Sequence, residues 1–515
     1  MMTSMTAPSQ QIEVLIVGAG PTGLTLACDL VRRGVRFRII DKAESYFVGS
    51  KGKGLQPRSL EVLDDLGVVD TILGYGKFHI PFRGYDGAKI LGEKDPHAGR
   101  NPTPSTPYAS PLLLPQWRVE ETLRTLFEKD GDAVGLSTEL ISLEQDDGGV
   151  TATLRSERGE ESVRCEYLVA ADGGRSFVRK FLNVPFEGET WTEERMYVGD
   201  VLLRGLDREA WHSWPNHPDG WLALCPLPST DAFQLQAQVP VGQEQEPSLE
   251  LFQELVKERT GRTDIELTGA SWLSLYRPQV RMASRFRIGR VFLAGDAAHV
   301  HSPAGGQGMN TGMQDAYNLG WKLASVLKGA PAGLLDTYEE ERLPVAANVL
   351  GLSTRLYRQI TAEGEDSLRR DAVTLQLGIT YKEMSLSRRS GEAALKISSG
   401  DRAPDAPGLS SDGKPMRLFD VFRGPKFTLL RLFPGDRAVD MNDWRDVPVV
   451  DIVASGSEKH AETSSRTFVD AFGHVSEAYG GGGGELLLVR PDGYAGWIGP
   501  AGDLDGLHRY LALVS

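Results

Sequence analysis

The 515-residue chain is poor in cysteine, has no excess of positive charge and contains no long apolar run, and each shortage excludes something. Its three cysteines, Cys28, Cys165 and Cys225, form no Cys-x-x-Cys pair and join no His/Cys cluster with metal-ligand spacing. That argues against disulfides and structural zinc and fits a reducing cytoplasm. Residues 226–515 hold no cysteine at all, which rules out thiol exchange there. A formal net charge of −14 weighs against nucleic acid or an anionic membrane as partner, since both are polyanions. No apolar run is long enough to span a bilayer. The polar opening MMTSMTAPSQQ lacks a basic start and an apolar core, so residues 1–11 read as a disordered leader rather than a signal peptide. There is no internal repeat and no Ser/His/Asp constellation. What remains is the composition of a globular protein, 40% hydrophobic and 24% charged, with length for two to four domains.

The stretch EVLIVGAGPTGLTLACDLVRRGVRFRIIDK runs from Glu13 to Lys42. Val14–Val17 is a continuous apolar run, as a strand buried on both faces requires. Gly18, Gly20 and Gly23 follow as G-x-G-x-x-G, with Pro21 and Thr22 opening a helix expected from about Thr22 to Arg33. In such a unit the first glycine permits the turn, the second lets a diphosphate approach the backbone, and the third lets helix pack on strand. The helix start favours the diphosphate charge. A second strand, Phe37–Ile40, ends at Asp41, 18 residues past Gly23, the place of an acid that holds a ribose diol. A carboxylate there repels a 2′-phosphate, so FAD or NAD is expected rather than NADP.

Two further segments repeat the theme of a strand ending in an acid. In YLVAADGGRSFVRKFL, Tyr167–Leu182, the strand ends at Asp172. In GRVFLAGDAAHVHSPAGGQGMNTGMQDAYNLGWKLASVL, Gly289–Leu327, Val291–Ala294 leads to Gly295 and Asp296, and a Pro/Gly-rich loop opens a helix. The carboxyl ends of strands are where open α/β sheets bind ligands. Alone, Asp172 or Asp296 reads as a turn or cap residue; in order with Asp41, cofactor binding is the better reading. His299 and His301, in a loop after a strand, read as structural.

These three motifs, in this order and spacing, resemble the single-component FAD-dependent aromatic hydroxylases, the p-hydroxybenzoate hydroxylase fold group. The resemblance covers most of residues 12–355. It implies an α/β chain with a Rossmann-like FAD domain and an antiparallel-sheet substrate domain. The cofactor set implied by motifs and resemblance together is Gly18, Gly20, Pro21, Thr22, Gly23, Asp41, Lys42, Lys51, Arg58, Gln116, Leu140, Asp172, Gly295, Asp296, Pro303, Gly308, Met309 and Asn310. Within it, Asp296 would meet the ribityl chain, Gln116 the diphosphate-ribityl region, the Leu140 backbone the adenine, and Pro303 the flavin ring. Amides of Gly308, Met309 and Asn310 would stabilise the negative charge of reduced flavin. Lys51 and Asp41 replace the commoner Arg and Glu of the family. Gln116 could equally be a polar turn residue, and Arg58 equally a packing residue.

The organisation expected is a first FAD-domain part at 12–185, a substrate sheet at 186–280, a second FAD-domain part with helices at 281–398, and a C-terminal domain at 399–515. In the substrate sheet, Tyr197, Trp221, Phe233, Trp272 and Tyr276 are candidate pocket aromatics, though aromatics more often fill cores. The C-terminal segment resembles the thioredoxin-like domain of the phenol hydroxylase and polyketide hydroxylase branch. The resemblance implies NADPH, or NADH, as transient reductant, since no second G-x-G-x-x-G unit exists to hold it. It further implies O2, a flavin C4a-hydroperoxide, and hydroxylation of a phenolic or polycyclic aromatic, possibly polyketide, substrate by a monomer or homodimer. The competing readings are a flavin oxidoreductase without oxygen insertion, a Baeyer–Villiger outcome on the same fold, and a flavin-binding sensor or scaffold.

Overall fold

This computed structural model describes residues 12–129, 131–191, 194–240, 242–363, 371–411, 414–434, 447–455 and 467–515, so the leader expected at 1–11 lies outside the described residues. In chain order, the elements that position the site are β1 (Val14–Val17), α1 (Pro21–Arg32), β2 (Phe37–Ile40), α2 (Gln116–Glu128), β3 (Tyr167–Ala170), β4 (Arg195–Arg204), β5 (Leu222–Pro226), β6 (Ala232–Val239), α3 (Leu249–Thr260), β7 (Glu266–Tyr276), β8 (Val291–Leu293), α4 (Gly308–Leu327) and α5 (Asp336–Glu363).

Strands β2, β1, β3 and β8 lie side by side and parallel, with Arg287–Ile288 pairing antiparallel at one edge. Every residue of β1 and β3 is buried, which accounts for their unbroken apolar sequences. Helix α1 begins at Pro21, whose missing N–H costs nothing in the first turn. Leu24, Leu26 and Leu30 of α1 join Met313, Ala316 and Leu323 of α4 in the main core. The parallel register brings three loops to one edge. Ala171 N donates to Val17 O and Ala294 N to Ala170 O, so the turns after β1, β3 and β8 meet there.

A second sheet has seven strands in the order β7, β4, β6, β5, Trp211–Trp214, Phe82–Asp86, Lys89–Lys94. The last two form a hairpin inside the stretch 12–185, and the structure moves them from the FAD part to the substrate sheet. Trp211 pairs in register with Phe82, and their rings stack at 4.7 Å. The strand period of two gives this sheet two distinct faces. Tyr197, Val201, Phe233 and Leu235 point to α3 and pack on Phe252 and Val256. Met196, Val198 and Asp200 point the other way, toward the nucleotide-binding part.

The C-terminal sheet is mixed. Thr428–Leu432 pairs parallel with Val449–Ala454, which pairs parallel with Thr467–Asp470; Glu485–Val489 and Ala495–Gly499 continue it antiparallel on the other side. The helical stretch expected to reach about Ser398 stops earlier. α5 is described to Glu363, and 371–398 consists of turns, bends, an isolated bridge and the short strand Arg388–Arg389.

Candidate active site

The loop after β1 is shaped by what its glycines touch. Gly18 has φ 105°, and a Cβ there would lie 2.3 Å from the Ala171 carbonyl oxygen. A Cβ on Gly23 would lie 2.0 Å from the Gly18 carbonyl oxygen. A Cβ on Gly20 would meet nothing within 4 Å. Two glycines thus serve close packing, and the middle one faces open space at the start of α1. Asp41 Oδ2 accepts from Ala19 N at 2.9 Å and Oδ1 from Ala43 N at 2.9 Å, which fixes the carboxylate at the rim of this cradle. Thr22 is turned elsewhere: its side chain fills the crossing of α1 with α4, where Cβ atoms on Gly295 and Gly312 would approach Thr22 Oγ1 to 2.4 and 2.5 Å. Thr22 and Gly295 are therefore packing partners. Lys42 is exposed, and among the described residues nothing links it to the cradle.

Further along the edge, Asp296 is accessible at its surface yet crowded by protein, as a carboxylate on the floor of a cleft is. Burial raises it, and His299 and Lys51 act against that rise. Gly52 N donates to Gln116 Oε1 at 2.9 Å, and a Cβ on Gly52 would lie 3.8 Å from Met309, so the Lys51 loop, Gln116 and Met309 share one wall. Gln116 Nε2 donates to Glu120 at 2.8 Å, and burial lifts Glu120 to about 7.

Helix α4 opens at this wall. Its first intrahelical bond is Thr311 N to Gln307 O, so the amides of Gly308, Met309 and Asn310 precede the ladder. The Asn310 side chain has a separate task. Its Oδ1 accepts from Gln56 N at 2.7 Å, and its Nδ2 donates to Gly54 O and Gly306 O at 2.9 and 2.8 Å. It staples the Pro303–Gln307 loop to Gly54–Leu55, leaving only its amide for a ligand.

Three further candidates have side chains engaged in packing, domain contact or capping. Arg58 is buried and donates to Glu61 at 2.7 Å and to the Asp492 carbonyl at 2.6 Å, so it ties the C-terminal domain in place. The Leu140 side chain lies in the main core. Asp172 Oδ2 caps the helix Phe177–Phe181 through Phe177 N and Val178 N at 2.8 and 3.2 Å. Its Oδ1 is buried without a partner among the described residues.

The candidate aromatics divide by strand parity. Tyr197 and Phe233 fall on the α3 face; Tyr197 Oη donates to the Gln245 carbonyl at 3.0 Å and Phe233 is core. Both are corrected to packing residues. Trp221, Trp272 and Tyr276 come together with Met196, Val198, Ala304, Leu352 and Leu356 in one apolar wall between the sheet, the Pro303 loop and α5. Phe47 closes its mouth, edge-on to Trp272 at 5.7 Å. Tyr276 is raised by burial and by the Asp296 charge, so this wall and the floor acid adjoin. Beside it, Lys53 donates to Gln234 Oε1 at 2.5 Å, Gln234 Nε2 to the Ser50 carbonyl, and burial lifts Asp200 to about 6. The alternation of Gln234, Gln236 and Gln238 with Phe233, Leu235, Ala237 and Val239 was the signal for this face. Leu352 and Leu356, more than fifty residues downstream on α5, left none.

Cradle, rim acid, floor acid and free helix-start amides suit a long dinucleotide whose far end is a redox ring against an aromatic wall. That defines a flavin-adenine-dinucleotide-binding oxidoreductase. Residues 11–353 match the FAD binding domain family model, and 397–514 match the model for the aromatic-ring hydroxylase C-terminal domain. The chain belongs to the FAD-dependent aromatic-ring hydroxylases, and its cofactor is FAD. It is 42% identical to a flavin-dependent monooxygenase of Mycobacteroides abscessus over 97% of this chain and 99% of that protein. It is 32% identical to pentachlorophenol 4-monooxygenase of Sphingobium chlorophenolicum, over 95% and 94%. The solved ternary complex of aklavinone-11 hydroxylase with FAD and aklavinone superposes with a TM-score of 0.78 at 27% identity, over 98% and 99%. Among the described residues no group of His, Cys, Asp and Glu could hold a metal, and no helix is long and apolar enough to cross a membrane.

Proposed function

We propose that this chain is an NAD(P)H- and O2-dependent monooxygenase that hydroxylates a phenolic or polycyclic aromatic substrate, acting in the cytoplasm as a monomer or homodimer. The observation that carries this is the adjacency of the Asp296 floor to the Trp221–Trp272–Tyr276 wall. In this reading Gly18–Gly23 holds the diphosphate, Asp41 the adenosine ribose, and Asp296, Gln116 and Lys51 the ribityl end. The chemistry that FAD supplies when bound is uptake of electrons from the nicotinamide and activation of O2. The protein's own tasks are to orient the aromatic ring on the open face of the sheet, to exclude water with Leu352, Leu356 and Ala304, and to offer helix-start amides to negative charge.

The range of the relatives, from one named for a chlorinated phenol to one bound to aklavinone, supports a phenolic substrate, and the polar glutamine face of β6 supports one with several oxygens. The test is a panel of phenols and phenolic polyketides. Compounds are scored for acceleration of anaerobic flavin reduction by NADPH or NADH, then for a gain of one oxygen by mass spectrometry after O2 is admitted. Reduction without any oxygenated product across the panel would leave an oxidoreductase and overturn the monooxygenase reading.

A further inference from the structure

The Pro303–Gln307 loop and the first turn of α4 are held from behind by a segment far along the chain, residues 371–378. Asp371 Oδ1 accepts from Val373 N and Thr374 N at 3.1 and 2.9 Å, and Leu375 N donates to Asp371 O at 3.0 Å, which winds the segment into a turn. Gln376 ends that turn at φ 60°, in the left-handed region. This conformation costs a residue with a Cβ about 1–2 kcal/mol, and at the end of a helical turn it is the usual place of glycine. A glycine there would escape the cost, but it would lack the side chain that this position puts to use. That side chain belongs to a row of glutamines whose directions are fixed. Gln307 Nε2 donates to Gly305 O at 2.8 Å and to Thr374 O at 3.0 Å. Carbonyls only accept, so the nitrogen of Gln307 lies on their side and Oε1 on the other. Oε1 accepts from Gln376 Nε2 at 2.8 Å, and the same nitrogen donates at 3.1 Å to Thr311 Oγ1, whose own hydrogen goes to the Gln307 carbonyl at 3.0 Å. Gln376 Oε1 in turn accepts from Gln314 Nε2 at 2.6 Å. Gln307, Thr311, Gln314 and Gln376 are all buried, so none can turn to water if a neighbour is lost.

The row of glutamines converges on the loop that borders the apolar wall. Gly305 and Gly306 are both left-handed, at φ 79° and 62°, and a Cβ on Gly305 would lie 2.7 Å from Leu356 of that wall. Gly305 O also accepts from Gln56 Nε2 at 2.8 Å. Gln307 O accepts from Thr311 N at 2.9 Å, the first rung of α4. Gln307 therefore joins loop to helix, and Gln376 fixes Gln307. We infer that Gln376 is a positioning residue of the cofactor site: through Gln307 and Thr311 it holds the Pro303–Gln307 loop and the start of α4 so that the amides of Gly308, Met309 and Asn310 face the flavin ring. The inference rests on the placement of FAD proposed above. Amides held in this way favour the negative charge that the ring takes up on reduction over the oxidised form. Residues 371–378 lie outside both family-matched segments, 11–353 and 397–514, so this support comes from the stretch that connects them.

Two variants and two measurements on the FAD-loaded protein test this. Gln376→Gly relieves the left-handed backbone and deletes the side chain, whereas Gln376→Leu keeps most of the bulk and deletes only the hydrogen bonds. Hydrogen–deuterium exchange over 303–311 should quicken on the order of tenfold in both, because buried hydrogen bonds that restrain the loop are lost. The two-electron reduction potential should fall in both by about 30 mV, a tenfold loss of preference for reduced over oxidised FAD. If Gln376 were only the end of a turn, Gln376→Gly would match or exceed the wild type in urea midpoint and leave exchange and potential unmoved; that result overturns the inference. Faster exchange at an unmoved potential overturns it through the placement of FAD, since the loop is then restrained by Gln376 but its amides do not serve the ring. A lowered potential with unmoved exchange overturns it through the restraint itself. Should Gln376→Gly fail to retain FAD, Gln376→Leu carries both measurements.

Discussion

At the scale of single residues, neighbouring glycines do different work, and substitution separates them. Gly18→Ala places a methyl group against the Ala171 carbonyl at a left-handed φ, so it should destabilise the apo-protein by about 1–3 kcal/mol from backbone strain alone. Gly20→Ala meets no protein atom, so its urea midpoint should match the wild type while FAD affinity falls. Paired denaturation and FAD titration check this; equal destabilisation by both would contradict the open cradle. Glu120 gives a pH prediction. Burial raises it to about 7 from 4.5, with Gln116 and then Lys51 resisting. A raised acid favours the protonated, folded form, so its stabilising contribution is present below about 4.5 and is lost as pH climbs to about 7. Above that, a new negative charge joins Asp41 beside the cradle in which the diphosphate is proposed to lie. FAD affinity should therefore fall between about pH 6 and pH 8 in the wild type and stay level in Glu120→Gln.

At the scale of elements, the faces of the substrate sheet decide which aromatic does what. Phe233 and Trp272 belong to strands of the same sheet, but Phe233 packs under α3 and Trp272 stands in the apolar wall with Ala304, Leu352 and Leu356. Phe233→Ala should cost about 3–5 kcal/mol of stability and leave KM for the aromatic substrate nearly unchanged. Trp272→Ala should raise KM at a smaller stability cost, since Trp272 is only partly buried. Steady-state kinetics beside urea unfolding distinguishes the two, and a KM rise for Phe233→Ala would reverse the assignment of faces. Legibility in the sequence follows the range of the interaction. β1, α1 and β2 were readable almost to the residue because their pattern is local and contiguous. Tyr197 and Phe233 were misplaced because they were chosen by residue type, whereas the strand period already put them opposite Met196 and Gln234. The Phe82–Asp86 strand pairs with Trp211, and the His299 ring with Asp315; such distant partners leave no periodic trace. Arg58 looked equally suited to cofactor or packing because its partner, the Asp492 carbonyl, lies 434 residues away.

At the scale of the whole molecule, the C-terminal domain is joined to the FAD domain through a buried charge network that reaches the back of the flavin helix. Arg490 donates to both oxygens of Glu341 at 2.6 and 2.9 Å and to Asp492, which also receives Trp321 Nε1 of α4 at 3.0 Å. Lys322 and Asn318, also on α4, complete the shell around Glu341 at 2.7 Å each. Trp321 packs with Phe427, Leu429, Leu488 and Trp497 of the C-terminal sheet. Helix α4 is therefore gripped through Asn318, Trp321 and Lys322 by residues of the C-terminal domain and α5. Arg490→Met has nearly the same bulk but strands Asp492, and in part Glu341, as buried charge, at a cost of about 3–5 kcal/mol. Because the network spans both domains, the loss should appear as a single cooperative unfolding transition at lower urea with unchanged slope, accompanied by weaker FAD retention. Two separated transitions, with the FAD-bound one unmoved, would show that α4 is held without the C-terminal domain.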